Sequence, residues 1–204
     1  QEQVDERRFA SARGAHDGCH RSFRDGEREI AESGFSSGEC KGEILEFNPL
    51  GHVCGVVCPD TFCMSACARK KFDHPVDIPR VQAGILEIAR KKGALRLPGK
   101  LIGKPKLNGR KVAPKIAVIG AGPAGLAASA WLGREGYQVS LYDGAQKAGG
   151  ACLYTPDFRF PKNSLEEDIK FVYGTGAIEP RFGKKITEPE LLLGQGYDAV
   201  VVAV

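Results

Sequence analysis

Apolar positions along this chain fall into three regimes, and each predicts a different kind of structure. From Gln1 to about Asn48, charged and small polar residues dominate, and Ser33, Gly34, Ser36, Ser37 and Gly38 interrupt any period. Such a stretch supports only short helices joined by loops, the best of them near Arg24 to Ala31. Between Asn48 and Lys92, cysteine-rich turns lead into a segment where Val81, Ile85, Ile88 and Ala89 recur at helical spacing. Arg90, Lys91 and Lys92, followed by Gly93, mark its end, because cations and a glycine suit the carbonyl terminus of a helix. Leu97 to Pro114 then carries Pro98, Gly99, Gly103, Pro105, Gly109 and Pro114, which predicts an irregular connector with a boundary near Val112.

The third regime is sharper. Ile116, Ala117, Val118 and Ile119 form a short apolar run that meets glycine abruptly, the pattern of a buried parallel strand. After Gly120-Ala121-Gly122-Pro123-Ala124-Gly125, the residues Leu126, Ala127, Ala130, Trp131 and Leu132 predict an apolar helix closed by Gly136. Val139 to Tyr142 predicts a second strand ending in Asp143, so the whole reads as a β-α-β unit, and Asp198 to Val204 predicts a further buried strand. The expected fold class is α/β: a small, mainly helical domain over residues 1–112, then a partial Rossmann-like domain over 113–204.

Composition narrows the classes. A chain of 204 residues, 42% of them hydrophobic, can bury one good core and a smaller second one. No run approaches the ~20 apolar residues that cross a bilayer, and the charged start from Gln1 to Phe9 does not read as a signal peptide. A soluble, cytoplasmic protein is expected. Seven cysteines, four of them inside Cys54 to Cys67, suit metal ligation in a reducing compartment better than a disulfide framework. The net charge of +4 is uneven, since Arg69 to Lys115 holds fourteen Lys or Arg against three acids. That stripe lacks the aromatic residues on which nucleic-acid bases stack, so a solvated linker that also offsets cofactor and thiolate charge is expected instead.

The glycine hexapeptide has a mechanical reading. Gly120 permits a tight turn out of the strand, Gly122 lets backbone approach a pyrophosphate, and Gly125 lets the helix sit against the sheet. The first helical turn, through Pro123 and Ala124, aims free N–H groups and partial positive charge at phosphates. Asp143 is placed to accept hydrogen bonds from an adenosine ribose, which argues against a 2′-phosphate there. The run from Gly120 resembles flavoprotein domains of the disulfide-reductase type more than dehydrogenases, and Gly149-Gly150 after Asp143 can approach the same cofactor. FAD is the expected ligand.

The cysteines read C-x3-C-x4-C-x3-C at Cys54, Cys58, Cys63 and Cys67. Four thiolates this close repel one another unless a cation gathers them. Zinc is one candidate, in a binding module without redox activity. An iron–sulfur cluster is favoured by the x3 spacing, by Pro59 after the second cysteine, and by the flavin motif nearby. Cys152 reads as a packing residue, and His16, His20, His52 and His74 as structural, with His52 or His20 an alternative fourth ligand. A pyridine-nucleotide disulfide reductase would need a redox pair near the flavin, yet no CxxC or CxxxxC follows Gly120.

Asn48 to Ile85, together with Lys115 to Lys162, resembles the family of the glutamate synthase small subunit and the N-terminal part of dihydropyrimidine dehydrogenase. The resemblance implies a helical domain with 4Fe-4S clusters before an FAD domain, itself interrupted by an NADPH-binding domain. It implies an NAD(P)H-dependent flavin and iron–sulfur oxidoreductase that passes electrons from nicotinamide through flavin and cluster to a larger partner subunit or domain. It also implies that Gln82 stands where a glutamine ligates iron in one branch, and that the Thr155 to Lys162 segment borders the flavin. Family members carry a further upstream four-cysteine motif, of which this chain offers only Cys19 and Cys40. Two ligand sets therefore stand side by side: Cys54, Cys58, Cys63 and Cys67, or Cys58, Cys63, Gln82 and an upstream cysteine. The family's nicotinamide domain lies beyond the position matching Val204, so no hydride-transfer residue is assigned and NAD(P)H is expected to bind outside this segment.

Overall fold

The computed structural model describes residues 42, 44–58, 61–91, 102–105, 107, 109, 111–157, 160 and 162–204. The expected Arg24 to Ala31 helix, and also Cys19 and Cys40, lie outside the described residues. The described chain packs as two compact units, one containing residues 61–91 and the other containing 45–58 with the described residues from 102 onward.

The first unit contains α2 (Thr61–Ala66), a 3-10 turn over Ala68–Lys71 and α3 (Ile78–Lys91). α3 begins one turn before the apolar period does. Asp77 explains this, because its Oδ1 accepts a hydrogen bond from the Arg80 backbone N–H at 3.1 Å, and Pro79 is tolerated in a first turn. Ile85, Leu86 and Ala89 form its buried stripe, as the helical spacing requires.

The second unit is built on four parallel strands: β1 (Lys115–Ile119), β2 (Gln138–Tyr142), β3 (Ile178–Arg181) and β4 (Ala199–Val202), in spatial order β3-β2-β1-β4. Ile116 lies opposite Val139 on one side and Ala199 on the other. Strand side chains alternate between two cores. Val118, Val139 and Leu141 face α1 (Gly51–Val57), α4 (Pro123–Arg134) and α5 (Lys162–Gly174) in a cluster with Val53, Leu126, Ala130, Leu165 and Val172. Ala117, Ile119 and Tyr142 face the opposite way, toward Leu192 of the short helix α6 (Leu191–Gly194).

The sheet and its helices confirm the α/β class and the Rossmann-like unit. Two details of the sheet differ from the sequence reading. The last strand sits at a sheet edge, with Val202 57% exposed, rather than buried on both faces. β3 was not legible, because Glu179, Pro180 and Arg181 break any apolar run; the proline is accommodated because β3 is the other edge strand. No helix among the described residues is long and apolar enough to cross a membrane.

Candidate dinucleotide and cluster sites

β1 is central, and the chain leaves it for β2 and β3 on one side and returns to β4 on the other. The loop after β1 therefore stands at the point where strand order reverses, the place where open parallel sheets bind ligands. Gly120 turns out of the strand at φ 104°, its N–H bonded to the Tyr142 carbonyl at 2.8 Å. A Cβ on Gly125 would lie 1.7 Å from the Gly120 carbonyl oxygen, so α4 reaches the strand end only because that atom is missing. Gly122 is different: a Cβ there would meet nothing nearer than the Gly150 Cα at 3.9 Å. Protein packing does not demand glycine at 122, whereas an approaching ligand would.

α4 opens with Pro123, and its first backbone bond runs from the Leu126 N–H to the Gly122 carbonyl at 2.9 Å. The N–H groups of Ala124 and Gly125 consequently lack intrahelical acceptors, at the positive end of the helix dipole. Asp143 braces this loop. Its Oδ2 accepts from the Ala121 N–H at 2.6 Å and its Oδ1 from the Ala145 N–H at 2.7 Å. On the other side the Gly149 N–H donates to the Ala121 carbonyl at 2.8 Å. Gly150, at φ 52°, comes so close that a Cβ on it would lie 2.7 Å from the Gly122 Cα. The fold thus brings Gly120 to Gly125, Asp143, Gly149 and Gly150 into one constellation, and these residues fit a bound dinucleotide.

Lys162, at the start of α5, holds the neighbouring 3-10 turn over Gly150–Tyr154 by donating to the Cys152 carbonyl at 3.0 Å and to the Thr155 carbonyl. Cys152 is buried in the core, and burial pushes its thiol pKa up. Phe158, Arg159 and Pro161 of the expected flavin-bordering segment lie outside the described residues.

The cysteines are divided between the units. Cys54, on α1, packs against the first core cluster, and burial raises its thiol pKa while a hydrogen bond with Asn48 opposes the rise. Cys58 follows α1 and is exposed. In the other unit Cys63 is exposed on α2, and Cys67 precedes the 3-10 turn. Backbone N–H bonds from Val76, Arg69 and Lys70 lower the Cys67 pKa, favouring the thiolate that binds metals and iron–sulfur groups. Gln82 is half-buried on α3. Among the described residues, no three His, Cys, Asp or Glu side chains gather into a group able to hold a metal ion. The thiols suit an iron–sulfur group by their donor chemistry.

The sequence reading treated His52 as structural and did not reach its partner. His52 Nδ1 lies 2.8 Å from Asp168 Oδ1, and both residues are buried. Asp168 also accepts from the backbone N–H groups of His52, at 3.3 Å, and Val53, at 2.9 Å. The signal was a charged residue on an apolar stripe, since Leu165, Asp168 and Val172 share the buried face of α5.

Two family models match the chain. Residues 28–94 match the dihydropyrimidine dehydrogenase domain II, 4Fe-4S cluster, and residues 118–184 match the NAD(P)-binding Rossmann-like domain. This ordered pair is the one the glutamate synthase small-subunit and dihydropyrimidine dehydrogenase resemblance requires. In both parts the chain is similar to that family.

Among its relatives, the NAD-dependent dihydropyrimidine dehydrogenase subunit PreT of Escherichia coli O157:H7 is 36% identical over 153 residues, covering 72% of this chain and 35% of the relative. The glutamate synthase [NADPH] small chain of Azospirillum brasilense is 34% identical, covering 71% and 30%. The NADPH-Fe(3+) oxidoreductase subunit beta of Geobacter sulfurreducens is 33% identical, covering 79% and 23%. The chain spans about a third or less of the length of these relatives.

Proposed function

We propose that this chain is the cofactor-bearing segment of an NAD(P)H-dependent electron-transfer oxidoreductase, with FAD held at the glycine loop and a 4Fe-4S cluster held by the cysteine region. The observation that carries the reading is Gly122: its missing side chain is required by no protein neighbour, and it stands at the sheet's switch point facing Gly150. Asp143 supports an adenosine with a free 2′-hydroxyl, because a 2′-phosphate would meet its carboxylate. The Gly149-Gly150 wall supports FAD over NAD in this position.

Bound FAD would supply conversion between two-electron and one-electron transfer. The chain's own residues bind and orient it: the amides of Ala124 and Gly125 face the pyrophosphate, Asp143 faces the ribose, and Lys162 fixes the turn beside it. For the cluster, the half-buried Cys54 packed against the core and the exposed Cys58 and Cys63 support ligation by Cys58, Cys63, Gln82 and an upstream cysteine. By analogy with relatives named as subunits, electrons would leave to a larger partner subunit or domain; NAD(P)H would bind outside this segment. A cytoplasmic location follows from the reducing environment such thiols need.

Acid release of the ligand from anaerobically purified protein tests the dinucleotide half. FAD at about one per chain is expected, together with a yellow-brown colour that dithionite bleaches. Release of NAD, or a colourless protein with stoichiometric zinc, would replace this reading with a nucleotide-binding module.

A further inference from the structure

α1 is only seven residues long, carries Cys54, and is followed directly by Cys58. A helix that short does not hold itself in place; its position comes from what it packs against. Leu50 and Val53 sit in the same core cluster as Ala121 and Leu126 of the glycine loop and α4. A polar connection to that core is made by Asp168, which is 1% exposed and lies more than a hundred residues away in sequence. Its two oxygens take the N–H groups of His52 and Val53 and the imidazole Nδ1 of His52. The backbone bonds satisfy amides that the first turn of any helix leaves open. The imidazole bond fixes how the side chain lies. Among the described residues His52 Nε2 is buried without a hydrogen-bond partner, so the polar attachment of the side chain runs through Nδ1.

From this geometry we infer that Asp168 is a positioning residue: it clasps the cysteine helix onto the nucleotide-binding sheet and sets where Cys58 stands relative to the glycine loop. A carboxylate suits this task because only it offers enough acceptor sites for three donors at once. An apolar residue of similar volume would fill the space and hold nothing. A buried charge is a poor device for stability alone, since well-packed apolar replacements are often neutral or stabilising. Its three directional bonds give α1 one orientation. The inference rests on the proposed function only in taking Cys58 as a redox ligand, and the clasp can be tested without that assumption.

Hydrogen exchange on the full chain compares Asp168→Leu and Asp168→Asn with the parent, reading amides of 51–57 against those of 123–134. Asp168→Leu is expected to speed exchange in 51–57 by about tenfold or more while 123–134 is unchanged. Asp168→Asn, with one carbonyl acceptor and a similar shape, is expected to restore part of the protection. Unchanged exchange in 51–57, or an equal rise in both segments, would overturn the clasp. Iron and flavin are counted on the same samples. With Cys58 directly after the released helix, iron per chain falls in Asp168→Leu while flavin per chain stays at the parent level. A parent protein lacking both would refute the proposed function and leave the exchange result to decide the clasp.

Discussion

Gly122 and Gly125 are three positions apart in one motif, yet they serve different masters. Gly125 serves the fold, because a methyl group there would collide with the backbone oxygen of Gly120. Gly125→Ala is therefore expected to cost about 1–3 kcal/mol, read as a lower thermal midpoint of the purified chain. Gly122, on the proposed reading, serves the ligand. Gly122→Ala is expected to leave the midpoint of the flavin-free chain unchanged and to weaken FAD retention by about tenfold, consistent with a methyl group standing where backbone should approach phosphate. If the two variants exchange these phenotypes, the assignment of open space at Gly122 is wrong. Asp143 combines both duties on the proposed reading, since its carboxylate braces Ala121 and Ala145 and would face the ribose of a bound dinucleotide. Asp143→Ala is expected to lower both flavin content and the thermal midpoint, measured by cofactor absorbance and calorimetry.

At the scale of elements, legibility followed periodicity. β1, α4 and β2 could be read because an apolar run, a helical stripe and a second run are joined by glycines with fixed jobs. α3 was legible from Val81 onward, and only its first turn was missed, because the signal there is a capping side chain at Asp77 and not a period. β3 was invisible because edge strands need little apolar surface. The cysteine segment was read as turns, whereas the structure folds it into the short helices α1 and α2, whose few residues give no periodic signal. The His52–Asp168 contact lies beyond any local reading, joining residues 116 apart in sequence. Division of the cysteines between α1 and α2 leads to a test by substitution. Cys58→Ser and Cys63→Ser are expected to lose most of the iron of anaerobically purified protein, and Cys54→Ser to keep it. Loss of iron in all three to the same extent would restore the set that includes Cys54.

For the whole molecule, the central claim is that one chain holds two redox groups by two unrelated pieces of chemistry. On the proposed reading, backbone amides and a carboxylate at a sheet's switch point would hold an adenine dinucleotide, and soft thiolates from the cysteine region would hold iron. The relatives named as subunits and small chains fit such a role, because a segment that carries cofactors needs another protein surface on which to discharge. The most direct measurement is the joint count of iron, acid-labile sulfide and flavin on anaerobically purified protein. The account predicts about four irons and four sulfides for every FAD per cluster held. Zinc in place of iron, or iron with no flavin, would contradict it.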